Sequence, residues 1–275
     1  MKSAASPNPK RPVRRAPAIQ LIGLDFDNTL YDGDRSLALV LPWFEDLRAR
    51  GIRLGLVTGR TFGSLRELFE KDGYVWGEPF PEFAICYESL ILDPLGQTVA
   101  GCEEWNRLRN EDLSRAHEIL EREFPEWKRL LEAQRLECRT VYLDPNYGLY
   151  LDFFSPEEAI AATELLRSKT RPEYPLHFSR NHRGLSIHAR DRSKGPAVEA
   201  MLRAMGIPQN EALVIGDSLN DLCMMDPKYG FQVATVSNAD PMVRAAVELK
   251  KGMIADEPCS RGVVQIFERL FGRKG

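Results

Sequence analysis

The feature that most constrains this 275-residue chain is a near-continuous apolar run, Ile19-Gln20-Leu21-Ile22-Gly23-Leu24, cut off by two carboxylates at Asp25 and Asp27. A run without polar alternation suits a parallel strand covered on both faces. Residues i and i+2 of an extended chain share a side, so the two aspartates can project together from the strand's carboxyl end. Like charges so placed repel each other, and the arrangement is costly unless a cation sits between them. In open α/β sheets that rim is also where ligands bind.

Strands and helices alternate after this run. A helical period over 35–50 closes at Gly51; 54–57 reads as a second buried strand and 62–71 as a helix. Alternation resumes at 194, with a helix over 194–205, a strand over 212–215, a helix over 219–225 and a strand over 231–236. Asp240-Pro241 reads as an N-cap and first helical residue, opening a helix that runs to about 249, and 262–270 is a last helix. This is the pattern of a doubly wound, mostly parallel α/β sheet core.

The middle differs. Residues 83–86 read as one more core strand, followed by a hairpin around Asp93-Pro94-Leu95-Gly96. From 103 to 187, two helical stretches (111–123 and 155–169) accompany four short strands at 140–144, 150–154, 176–179 and 185–189. Tyr142, Tyr147, Tyr150, Phe153 and Phe154 are expected to form the core of this α+β insert. The expected organisation is a basic tail over 1–18, a split core over 19–102 and 188–275, and an inserted cap over 103–187.

Charge and composition exclude several classes. All five charged residues of 1–18 are basic, leaving 32 basic against 40 acidic residues in the body, which would repel a nucleic-acid backbone. The tail holds four prolines and no apolar h-region, so it reads as a solvated arm rather than a secretory signal. Five cysteines, odd in number and with no C-x-x-C pair, argue against a disulfide scaffold and for a reducing, cytoplasmic setting. No apolar run approaches about 18 residues, so no membrane span is expected. The four histidines lack zinc-ligand spacing.

Four constellations at strand or helix ends carry chemistry. The first is Asp25-Phe26-Asp27-Asn28-Thr29-Leu30. The second, Val57-Thr58-Gly59-Arg60, offers a hydroxyl and successive backbone N–H groups before a helix, an anion site, with Arg60 read as a solvent-facing helix residue. The third, Lys194-Gly195, sets a lysine at a helix N-terminus, where the macrodipole favours an acid. The fourth, Gly216-Asp217-Ser218-Leu219-Asn220-Asp221, converges two carboxylates and an amide on one turn, hard oxygen ligands that suit magnesium. A further polar group, Arg180-Asn181-His182-Arg183, reads either as a solvated turn or as a loop touching the leaving group of a substrate.

Taken in this order, the four motifs resemble the haloacid dehalogenase superfamily of phosphohydrolases, in particular its Cof-type, sucrose-phosphate-phosphatase-like branch, which carries a large α+β cap between the second and third motifs. The resemblance implies these roles: Asp25 as the nucleophile that takes up phosphate; Asp27 as acid and then base; Thr58, Gly59 and Lys194 around the transferring group. It further implies Mg2+ held by Asp25, Asp217 and the backbone carbonyl of Asp27, Asp221 acting through metal-bound water, and Asn220 touching phosphate. The implied activity is a magnesium-dependent phosphomonoesterase for a small phosphate ester, a sugar or sugar-acid phosphate, working in the cytoplasm as a monomer or weak homodimer without nucleic acid or membrane. Rival readings are a sugar-phosphate phosphomutase and a non-catalytic sugar-phosphate-binding protein. The chain departs from the pattern twice. Asn28 replaces a glycine, though asparagine tolerates the positive φ such a turn needs. The Asn-Gly pair that often follows the third core strand, on the substrate side, is replaced near Cys86-Tyr87-Glu88-Ser89.

Overall fold

A computed structural model describes residues 18–33, 37–145, 148–190 and 192–272, with the side chain of Asn181 left aside. Most of the basic tail, the expected helix start at Arg35, and Tyr147 lie outside the described residues.

In chain order the first half of the core is β1 (Leu21–Leu24), α1 (Leu37–Ala49), β2 (Arg53–Val57), α2 (Phe62–Lys71), β3 (Phe83–Cys86) and β4 (Leu90–Leu92). The insert follows as α3 (Glu103–Ala133), β5 (Cys138–Asp144), β6 (Gly148–Phe153), α4 (Pro156–Lys169), β7 (Leu176–Asn181) and β8 (Gly184–Ala189). The second half of the core is α5 (Lys194–Met205), β9 (Ala212–Ile215), β10 (Gln232–Thr235), α6 (Pro241–Leu249), β11 (Met253–Ile254) and α7 (Cys259–Phe271).

The core sheet has the order β11-β10-β9-β1-β2-β3-β4, parallel except where β4 returns against β3. Each buried strand splits its side chains between two apolar clusters. Ile22 and Leu24 of β1 join α1 and α7 on one face, while Leu21 packs with α5 and α6 on the other. The sheet is therefore covered on both sides, the arrangement that non-alternating strands demand. Because β1 lies between β2 and β9, the chain reverses winding direction there, and the crevice for a ligand opens at its carboxyl end. The edge strand β4 is sealed by Asn106 of α3, whose amide accepts from Ile91 N at 2.9 Å and donates to Ile91 O at 2.8 Å, as a neighbouring strand would.

The insert's sheet, order β5-β6-β8-β7, is antiparallel throughout, with α3 and α4 packed on one face. A capping box between Ser155 and Glu158 starts α4. Strand alternation corrects the expected aromatic core. Phe153 is buried against the helices, whereas Tyr142 and Phe154 are exposed. Register aligns Tyr142, Tyr150, Ser186 and Ser179 in a row across four strands, on the face turned away from Leu151, Leu185 and Phe178. Two elements also differ in extent. Helix α3 spans 31 residues rather than the expected 13, and residues 219–223 form a short 3-10 turn rather than a helix to 225. No helix among the described residues is long and apolar enough to cross a membrane.

Candidate active site

Three adjacent parallel strands end at the same rim and deliver three of the four motifs: β1 leads to Asp25, β2 to Thr58 and β9 to Asp217. The fourth, Lys194, arrives at the start of α5. Gly195 lets that helix in, because a Cβ there would stand 2.4 Å from the Cys223 carbonyl. Gly216 does the same for Asp221, whose carboxylate carbon would lie 2.4 Å from a Cβ at that position.

Lys194 is the electrostatic centre. Its side chain is fully buried, and Nζ donates to Asp25 Oδ1 at 2.5 Å and to Asp221 Oδ1 at 2.6 Å. Burial opposes the charge, but Asp221, Asp25 and Glu88 outweigh it and hold the ammonium above the ordinary lysine range. The expected penalty of a lysine at a helix N-terminus is thus offset by two carboxylates.

Asp25, Asp217 and Asp221 each place a carboxylate oxygen within 4.8 Å of the others, and all three residues are buried. Burial, then the neighbouring Asp221, pushes the Asp25 carboxyl well up; burial also raises Asp217. Three buried carboxylates against one ammonium leave unbalanced negative charge, and a divalent cation with oxygen ligands fits that donor set. The oxygens are not equivalent. Asp221 Oδ2 accepts from the backbone N of Asp217 and Ser218 at 3.0 and 2.9 Å, so both its oxygens are engaged. Asp217 is aimed by Thr29 Oγ1, which donates to its Oδ1 at 2.9 Å from a fully buried position.

Asp27 lies outside this cluster. Arg60 corrects its expected solvent-facing role: it precedes α2, and its Nε and Nη2 donate to the two Asp27 oxygens at 2.8 and 2.7 Å, with the guanidinium over the Phe26 ring. Asn28 between the motif aspartate and Thr29 has φ 57°, the left-handed turn anticipated from its side chain. Thr58 is buried and its hydroxyl accepts from Arg60 N at 3.1 Å, which turns its own proton outward from that bond. Asn220 reaches the site from the 3-10 turn but is held by a residue that sequence reasoning did not assign: its Nδ2 donates to Glu88 Oε1 at 2.8 Å. The only sequence signal for Glu88 was that it replaces a small turn residue after β3. Arg180 and His182 stand apart from this group. They occupy the β7–β8 turn, Arg180 Nη1 donating to His182 O, while the opposite end of β8 carries His188 beside Glu88 and Arg192.

The sequence profile of the haloacid dehalogenase-like hydrolase family matches residues 145–266. A phosphoglycolate phosphatase from Methanothermobacter thermautotrophicus is 36% identical over 91 residues, 32% of this chain and 38% of that one. Another from Staphylothermus marinus is 26% identical over 140 residues, half of each chain. The chain therefore spans half or less of the length of these relatives. Structural likeness is more extensive. Sucrose-phosphatase from Synechocystis, solved with sucrose and phosphate, superposes with a TM-score of 0.66 at 19% identity over 92% of this chain and 98% of that one. A haloacid dehalogenase-like hydrolase from Bacteroides thetaiotaomicron gives 0.61 at 19% identity over 92% and 100%. In fold, motif order and a profile match over part of its length, the chain is similar to haloacid dehalogenase-like hydrolases.

Proposed function

We propose that the protein is a magnesium-dependent phosphomonoesterase acting on a small phosphate ester through an aspartyl-phosphate at Asp25. The observation that carries this reading is the buried Lys194 clasped between Asp25 and Asp221, with Asp217 completing a carboxylate cluster whose oxygens lie within 4.8 Å. A carboxylate can attack a phosphate dianion only when the surrounding charge is screened, and phosphoryl transfer is governed by such positioning and screening.

Asp25 and Asp217 would hold magnesium directly and Asp221 through water, joined by the Asp27 carbonyl. The bound ion would supply charge neutralisation on the transferring oxygens. The remaining work falls to the protein. Lys194 fixes one Asp25 oxygen and leaves the other to attack phosphorus in line. The Thr58 hydroxyl and Gly59 N–H receive the equatorial oxygens, with the Asn220 amide beside them. Asp27 gives a proton to the departing alkoxide, then takes one from the water that cleaves the aspartyl-phosphate. Its paired hydrogen bonds from Arg60 occupy both carboxylate oxygens, so this pair must open as substrate enters.

The fold shared with sucrose-phosphatase and the partial match to phosphoglycolate phosphatases support small phosphorylated metabolites, sugar or sugar-acid phosphates, as the substrate class. The test is hydrolysis of p-nitrophenyl phosphate with magnesium by the wild type and by Asp25→Asn. The wild type is expected to turn over and the variant to lose at least about a thousandfold. Equal rates in the two would remove the proposal.

A further inference from the structure

The turn Tyr87-Glu88-Ser89, between β3 and β4, is tied to the second and fourth motifs of the site and to both crossings into the cap. Tyr87 and Glu88 both have positive φ, 50° and 59°, a costly choice for two side-chain-bearing residues in succession. Their backbones are fixed on the second motif: Glu88 N donates to Thr58 O at 2.8 Å and Tyr87 N to Arg60 O at 3.1 Å. The Glu88 carboxylate is buried, takes the Asn220 amide at 2.8 Å, and sits 3.4 Å from where a Cβ on Gly59 would stand. Its other oxygen faces Arg192 at 3.5 Å, on the segment leading from β8 to Lys194. On the first crossing, Trp105 Nε1 of α3 donates to Ser89 O at 2.7 Å. Tyr87 itself packs against the apolar clusters of both core and cap.

A buried carboxylate beside a site for anionic phosphate is unfavourable by itself, and something must justify it. Burial does oppose its ionisation, yet Arg192, Lys194 and the Asn220 amide outweigh that and hold Glu88 below the ordinary carboxylate range; His188, His177 and Cys223 also face it. Glu88 is thus ionised, yet both oxygens are directed at protein groups, Asn220 and Arg192. Resting on the phosphatase reading, we infer that Glu88 is a positioning residue: its reach sets the Asn220 amide at the phosphate site, and its charge holds Arg192 and so the second cap crossing. Reach and charge are separable functions of one side chain. Glu88→Asp keeps the charge but is one carbon too short for Asn220. Glu88→Gln keeps the reach but removes the negative charge that faces buried Arg192.

The experiment measures kcat and KM for p-nitrophenyl phosphate, with magnesium, and thermal unfolding of both variants in the full chain. The expected pattern is crossed. Glu88→Asp loses about thirtyfold or more in kcat/KM with the smaller fall in Tm, and Glu88→Gln recovers at least about tenfold of that loss with the larger fall in Tm. A merely structural role would make activity track Tm, and that result overturns the inference, as do two variants both within about threefold of wild type. Coupling supplies the second arm. In an Asn220→Ala background, Glu88→Asp should cost less than about threefold more; a full additive loss shows that Glu88 acts elsewhere and overturns the inference. If Glu88→Gln does not fold, this cycle decides alone. A wild type that releases no phosphate sinks the phosphatase reading instead, and the affinity of the same proteins for inorganic phosphate, by calorimetry, then reads the same order.

Discussion

At the scale of single residues, the site is built around groups that would be unstable apart. Lys194 tolerates complete burial because two carboxylates meet it, and those carboxylates tolerate each other partly because of Lys194. Their negative charge is nevertheless in excess, which gives a signed expectation for metal removal. Asp217 is raised above its ordinary carboxylate range by burial and by Asp221, so its ionised form destabilises the metal-free fold near neutral pH. Asp217→Asn should therefore leave the Tm in chelator unchanged or raised. Added magnesium should raise the wild-type Tm, by mass action on the folded state, and raise that of the variant far less. A thermal-shift titration checks both. The residues legible in the sequence were those whose chemistry is local to a strand end: Asp25, Thr58, Asp217 and the positive-φ Asn28. Thr29 and Glu88 were not assigned, and Arg60 was read as solvent-facing. Their meaning lies in partners far along the chain: Asp217 for Thr29, Asp27 for Arg60, and Asn220 with Arg192 for Glu88.

At the scale of elements, hydrophobic period placed most of the core. Strands β3 and β9 and helix α5 have the bounds that apolar runs and terminal glycines give, and the Asp240 cap with Pro241 opens α6 as read. The cap was read less well because its sheet has one wet face. Alternation there sends Tyr142 outward, and burial cannot be inferred from aromatic type alone. The same sheet supplies a pH-dependent term. His188, at the inner end of β8, is pushed down to about 3 by burial first and by Arg192 second, against an ordinary 6.5. The folded chain therefore resists a proton that the unfolded chain accepts. The stability this gives is present above about pH 6.5 and is lost progressively as pH falls toward 3. Glu88, Arg192 and His177 face this ring, and His177 is lowered in the same direction. Between pH 7 and 5, Tm should fall with acidification in the wild type and fall less steeply in His188→Gln. Identical slopes would show that the ring carries no such term.

At the scale of the whole molecule, a parallel sheet gathers charge from three strand ends at its winding reversal, and an antiparallel insert is joined to that rim by two crossings that both touch the Tyr87–Ser89 turn. Under the proposed function, chemistry falls to the core and leaving-group selection to the surfaces that the cap brings near. The account stands or falls on whether Asp25 takes up phosphate. The direct measurement is mass spectrometry of peptides from enzyme quenched in acid during turnover of p-nitrophenyl phosphate with magnesium. The account predicts a phosphoryl group on the peptide bearing Asp25, reduced when Asp27→Asn forms it slowly and absent in Asp25→Asn. Steady turnover with Asp25 unmodified, or with the phosphoryl group on another residue, would contradict it.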